Sequence, residues 1–201
     1  PISELTTDLD YINYSNTSLQ NFNTRNFDVA GNLSPSTDDS PNPYILKGDL
    51  DGNLNIYSLK SDLTKVFRND WKLETGVKTS FVKADNDLQF FNASSGNSVI
   101  DRSKTNHFIY EENINAAYGN VIKNWDKFKV NFGLRVENTN VTGNQITTNQ
   151  INKKNYTQLF PSAVFSYDID DKSTVELNFS RRITRPNYRQ LNPFKFYLDP
   201  T

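Results

Sequence analysis

Residues 128–138 alternate strictly between apolar and polar. Phe128, Val130, Phe132, Leu134 and Val136 fall on one side, and Lys129, Asn131, Gly133, Arg135 and Glu137 on the other. A β-strand points successive side chains to opposite faces, so this run predicts a strand with one apolar and one charged face. Residues 71–81 repeat the pattern, with Trp71, Leu73, Thr75, Val77, Thr79 and Phe81 opposing Lys72, Glu74, Gly76, Lys78 and Ser80. Leu159, Pro161, Ala163, Phe165 and Tyr167 form another apolar face. So do Val175, Leu177, Phe179 and Ile183, opposite Glu176, Asn178, Ser180 and Arg182. In 108–119 the apolar face reads as Phe108, Tyr110, Ile114, Ala116 and Tyr118, interrupted by Glu112, against Glu111, Asn113, Asn115, Ala117 and Gly119. Weaker strands are expected over 8–25 and 44–63, the second broken at 51–53. No helical period of any length appears.

The connections alternate in length. Short ones are expected at 65–70, 122–127 and 169–172. Longer, polar ones are expected at 27–43, 84–106, 141–155 and from Thr184 onward. Apolar faces paired across the short turns put Tyr118 opposite Val130 and Phe165 opposite Leu177. Patterned runs of about 11 residues exceed the usual soluble strand of about 5–6 and, tilted, match an apolar band of about 25 Å. Aromatic residues sit at the run ends: Phe67, Trp71 and Trp125 by the short turns, and Phe90, Phe91, Phe108, Tyr110 and Tyr156 by the long loops. Two such girdles are a mark of membrane barrels. The pattern therefore predicts an all-β, antiparallel up-and-down transmembrane β-barrel, of which this chain supplies about seven strands. A soluble β-sandwich binding module is the alternative, since its strands alternate too.

Composition narrows the chemistry. The 201 residues contain no Cys, one His and no Met, and the net charge is −1. Disulfides and thiolate metal sites are excluded, and there is no basic field of the kind that binds nucleic acid. A chain without Met that begins at Pro1 reads as a segment of a longer protein, one domain with its remaining strands elsewhere. The mean hydropathy of −0.69 suits a barrel, because only alternate residues meet lipid. No catalytic set converges, so no enzyme and no cofactor are expected. Glu111 and Glu112 are adjacent and point apart. Asp168, Asp170 and Asp171 crowd a turn but lack the ligand spacing of a calcium loop. The inward charges Lys72, Glu74, Lys78, Lys129, Arg135, Glu137 and Arg182 are the candidate lumen lining. Gly76, Gly119 and Gly133 are placed on the same polar face, for wall curvature or close approach of a plug. Alternation puts Arg181 outward, unless a bulge turns it in.

The stretch Phe179-Ser-Arg-Arg-Ile-Thr-Arg-Pro-Asn-Tyr-Arg-Gln-Leu-Asn-Pro-Phe194 resembles a signature of the outer-membrane β-barrel proteins related to TonB-dependent receptors, of the Bacteroidetes type. Its family-motif residues are Arg182, Arg185, Pro186, Leu191, Asn192, Pro193 and Phe194. Three further stretches resemble the same family in the same order: Tyr110-Glu-Glu-Asn-Ile-Asn-Ala-Ala-Tyr118, Phe132-Gly-Leu-Arg-Val-Glu137 followed by Asn138-Thr139, and Leu159-Phe-Pro-Ser-Ala163. The resemblance implies a barrel of about 22 strands in the Gram-negative outer membrane. It also implies a plug domain, TonB as energy-coupling partner and uptake of an unknown substrate, with outer-membrane lipid around the wall. A non-transporting structural or adhesive barrel is the rival within that family.

Overall fold

The computed structural model describes residues 2–37 and 41–184. Seven long strands and one short one form a single antiparallel sheet: β1 (Ile2–Thr24), β2 (Tyr44–Val66), β3 (Trp71–Asn92), β4 (Val99–Ile100), β5 (Asn106–Asn124), β6 (Phe128–Gln145), β7 (Gln150–Asp170) and β8 (Ser173–Ser180). The order is β1-β2-β3-β5-β6-β7-β8, and β4 adds two residues beside the end of β3. Each long strand thus pairs with its neighbours in sequence, the up-and-down topology that alternation and short turns predict. The second strand runs through 51–53 without a break, Gly52 pairing with Asn16 and Asn86.

The short turns close as expected. Phe67 N donates to Trp71 O at 2.8 Å, and Trp125 N to Phe128 O at 2.7 Å. Asn69 and Asp70 each hold φ of 60°, a left-handed conformation that these two residue types tolerate best after glycine. At the other end the expected long loops shrink. Residues 84–92 belong to β3, and only 146–149 separate β6 from β7. These segments are polar because one face of the strand is polar there, not because the backbone is irregular.

Pairing fixes the faces. Tyr118 lies opposite Arg135, and Val130 opposite Lys123. The expected Tyr118–Val130 pair is therefore wrong by an odd number of residues, and the faces of β5 are reversed. Phe108, Tyr110, Ile114, Ala116 and Tyr118 share the face of Arg135 and Glu137, whereas Ala117, Gly119 and Val121 share that of Phe132, Leu134 and Val136. Small or apolar residues stand on both faces of β5, so apolar pairing could not choose. The closure of the turn at Trp125 chose instead. Phe165 does lie opposite Leu177, and the one register shift at that hairpin falls at Asp168/Asp170. The Asp168 carboxylate accepts from Thr174 Oγ1 at 2.6 Å, and that of Asp170 from Lys172 N at 2.8 Å, so both carboxylates tie the turn. Arg181 N donates to Pro161 O at 3.1 Å. That continues the register and keeps Arg181 on the side of Phe179 without a bulge.

The two faces differ in kind. On one, side chains reach across a whole strand: the Tyr118 hydroxyl of β5 donates to Asp62 of β2 over Gly76 of β3. Such convergence marks the inside of a curved sheet. The buried Leu46, Ala84, Phe90, Phe108, Tyr110, Glu137 and Thr139 all share this inner face. The outer face exposes Leu9, Tyr57, Leu59, Val77, Phe81, Phe132, Leu134, Leu159 and Leu177.

That outer apolar band covers only the half of the sheet next to the short turns. Its upper edge is Tyr11, Tyr57 and Phe81, one register row. Across β5, β6 and β7 the edge is Ala117, Val136 and Leu159, a row that meets β3 at Val77. This sideways descent is what strands tilted to a membrane normal produce. β3 has 22 residues, so at about 3.3 Å each and a tilt of about 40° it rises roughly 55 Å, twice the apolar band of about 25 Å. Beyond the band the faces exchange character. The outer side carries Asn53, Asn55, Asp85, Asn113, Asn138 and Asn140, and the inner side carries the packed clusters of Leu46, Leu88 and Phe90 and of Ala84, Phe108 and Tyr110.

The aromatic girdle at the short turns is present. Lys123 Nζ lies 5.4 Å from the Trp71 ring and 5.6 Å from that of Trp125, and Lys65 lies 5.1 Å from Phe67. The second girdle is not the one expected. Phe90, Phe108, Tyr110 and Tyr156 point inward. The ring ladder at the band's upper edge is Tyr11–Tyr57–Phe81, with centroids 4.9 and 6.5 Å apart.

Candidate lumen-facing site

Register rows bring the predicted charges together. Lys72, Glu74 and Lys78 of β3 and Lys129, Arg135 and Glu137 of β6 all stand on the inner face, level with the outer apolar band. One row runs Asp62, Gly76, Tyr118, Arg135, Phe160; the next runs Lys60, Lys78, Ala116, Glu137, Gln158. Lys72 Nζ pairs with Glu74 Oε1 at 2.6 Å, and Lys60 pairs with Asp62. Both pairs join residues two apart on one strand, as alternation requires.

The centre of the cluster is Tyr118. Its hydroxyl donates to Asp62, and the Arg135 guanidinium lies over its ring at 5.8 Å. Arg135 in turn donates from Nε at 3.0 Å and from a terminal nitrogen at 2.7 Å to Glu137 Oε2. Glu137 is 4% exposed, the most buried carboxylate of the chain's described core. A buried carboxylate is stable only with a partner, and the doubly donating guanidinium supplies one.

Glycine makes this crossing possible. A Cβ on Gly76 would stand 2.6 Å from both Asp62 Oδ1 and the Tyr118 hydroxyl. At Gly133 it would collide with the Asn120 amide and the Ser162 hydroxyl. Both glycines are therefore required by neighbouring side chains that fold over them. Gly119 is different: it lies on the outer face, and its nearest neighbours would be 3.9 Å away.

Sequence reasoning missed Lys60, Asp62 and Tyr118. The alternation of β2 is weak, and the apolar neighbours of Tyr118 in 108–119 put it on the lipid side. Arg182 follows β8 and is exposed. The motif residues Arg185, Pro186, Leu191, Asn192, Pro193 and Phe194 lie outside the described residues. His107 places Nε2 2.8 Å from Asp85 Oδ1.

Above the charged rows the inner face opens into two clefts that share Tyr110, the first largely apolar and the second mixed. One, of about 340 Å³, is lined by Tyr14, Leu54, Ile56, Val82 and Ala84. The other, of about 520 Å³, is lined by Phe108, Val141, Gly143, Gln145 and Lys154. The Tyr110 hydroxyl donates to Glu112 Oε2 at 3.0 Å, so Glu112 does not interrupt an apolar face but satisfies a tyrosine.

No curated protein matches the sequence. Among solved structures, the ferric citrate transporter FecA in its unliganded form is similar at a TM-score of 0.50 and 12% identity, a likeness of fold. It covers 86% of this chain and 24% of that one, so the chain spans about a quarter of the transporter's length. A family model for outer membrane protein β-barrels matches residues 2–201. With the apolar outer band and the tilted up-and-down sheet, this match shows that the chain belongs to the outer membrane protein β-barrel family and resides in the outer membrane.

Proposed function

We propose that this sheet is one wall of a TonB-dependent receptor-like transporter that carries a substrate across the outer membrane. The observation that carries the reading is the inner face. It bears a paired cationic–anionic belt, from Lys72 to Glu137, level with the lipid band, and clefts around Tyr110 above it. A wall that only spans lipid needs neither; a conduit needs a polar lining at membrane depth and a contact surface above. In this reading the inner face lines the lumen, and the short turns face the periplasm. The upper halves of β1, β2, β3, β5, β6 and β7 stand outside the cell. The other strands of the family's barrel close the open edges of β1 and β8, and the plug and TonB coupling follow from the family resemblance.

The wall's lining can be tested directly in full-length protein in planar bilayers. With its plug the protein should hold no steady current, and without the plug it should conduct. Glu74→Gln and Glu137→Gln together should shift the open pore toward anions, since rings of side-chain charge set selectivity. A selectivity unmoved by the double change would place these carboxylates away from the conduit. A steady current with the plug in place would contradict a gated transporter.

A further inference from the structure

Directly above the apolar band on the outer face, β5, β6 and β7 carry asparagine where a strand would ordinarily place threonine or valine. Asn113 and Asn115 of β5, Asn138 and Asn140 of β6, and Asn155 and Thr157 of β7 occupy two adjoining register rows. Their amides form a ladder. Asn115 Nδ2 donates to Asn113 Oδ1 at 2.6 Å, and Asn140 Nδ2 to Asn138 Oδ1 at 2.8 Å. Asn138 Nδ2 donates to Thr157 Oγ1 at 3.0 Å, and Asn155 donates to Asn140.

Asparagine is among the residues most depleted from strands. Threonine would solvate this surface equally and favour the strand. An amide has two donors and a carbonyl acceptor, and the ladder engages only part of that capacity while fixing the orientation of each group. The belt is uncharged. It is continuous with the lipid-facing band, whose edge here is Ala117, Val136 and Leu159. Lys153 stands one step beyond, opposite Thr142. In the orientation proposed above, the groups beside the wall at this height are the sugars of outer-leaflet lipid.

We infer that the amide belt of β5–β7 binds the saccharide head group of lipopolysaccharide, with amides meeting sugar hydroxyls and Lys153 meeting an anionic substituent. The inference rests on the orientation given under the proposed function, but not on transport. Full-length protein extracted from the outer membrane in mild detergent should retain lipopolysaccharide. The triple variant Asn115→Thr, Asn138→Thr, Asn155→Thr raises strand propensity, so the barrel should assemble. Its retained lipopolysaccharide should fall about tenfold, the scale expected for several lost hydrogen bonds, while retained phospholipid stays constant. Lipopolysaccharide retention equal to the parent, or an equal fall of both lipids, would overturn the inference.

A second measurement does not depend on that variant. A photoreactive group on a cysteine at Thr157 should capture lipopolysaccharide in intact cells, and the same group at Val175, by the short turns, should capture phospholipid. Capture of phospholipid at Thr157 would refute a glycolipid site.

Discussion

Replacing Val77 by Lys tests the assignment of faces most sharply. Val77 sits in the middle of the outer band on β3, 56% exposed, with Ser61 and Ala117 beside it in register. An ammonium there enters hydrocarbon, at a cost of about 2–4 kcal/mol near the bilayer midplane. At about 1.4 kcal/mol per factor of ten, the folding equilibrium should fall by roughly 30- to 900-fold. Lys78, the next residue, points to the inner face beside Lys60 and Ala116, so Lys78→Gln should change stability by about 0.5 kcal/mol or less. Urea titration of the full-length protein folding into lipid vesicles, followed by tryptophan fluorescence and heat-dependent gel mobility, reads both values. Equal effects of the two substitutions would refute the outer placement of Val77.

Glycine offers an internal comparison: Gly76→Ala should cost about 1–3 kcal/mol through overpacking against Asp62 and Tyr118, and Gly119→Ala should be neutral or better, both read by the same titration. Arg135→Ala removes two charged donors from buried Glu137 and should cost about 1.5–3 kcal/mol, the scale of hydrogen bonding to a charged group; Arg135→Lys should recover part of it. In the loop after β3, burial pushes the Asp101 carboxyl upward, but Ser103 and Lys104 donate to it and hold it below its ordinary value. A depressed folded-state value stabilises the loop above the ordinary carboxylate pKa, and the contribution is lost as pH falls through the folded value. Amide protection of Thr105, corrected for intrinsic exchange, should therefore drop at acid pH, and Asp101→Asn should remove that step.

The membrane-embedded half of the sheet was legible because a lipid-facing side is unmixed. In β3, β6, β7 and β8 the alternation gave both the strand and its facing. Two physical circumstances hid the rest. Beyond the membrane the outer side chains become amides and carboxylates, so residues 84–92 read as loop although Phe90, Leu88 and Ala84 keep a continuous inner face. In β5, Ala116 beside Ala117 and Val121 beside Ile122 leave neither face more apolar, and a three-residue turn settled the register. The charged belt was half visible: Arg135 and Glu137 stand on a clean strand, whereas Lys60 and Asp62 become partners only once Tyr118 is known to face inward. Nothing local to Gly76 announced that a tyrosine from one strand and an aspartate from another would meet above it.

In the proposed orientation, one continuous strand crosses lipid with its lower half and stands outside the cell with its upper half. Single cysteines at Val77 and Asp85, both on the outer face of β3, carry a polarity-sensitive fluorophore in full-length protein reconstituted with brominated lipid. The label at Val77 should be blue-shifted and strongly quenched. The label at Asp85 should be solvent-like and unquenched, and its thiol should react with an impermeant reagent on intact cells. Equal quenching at both positions, or a solvent-like signal at Val77, would contradict this placement of the strand.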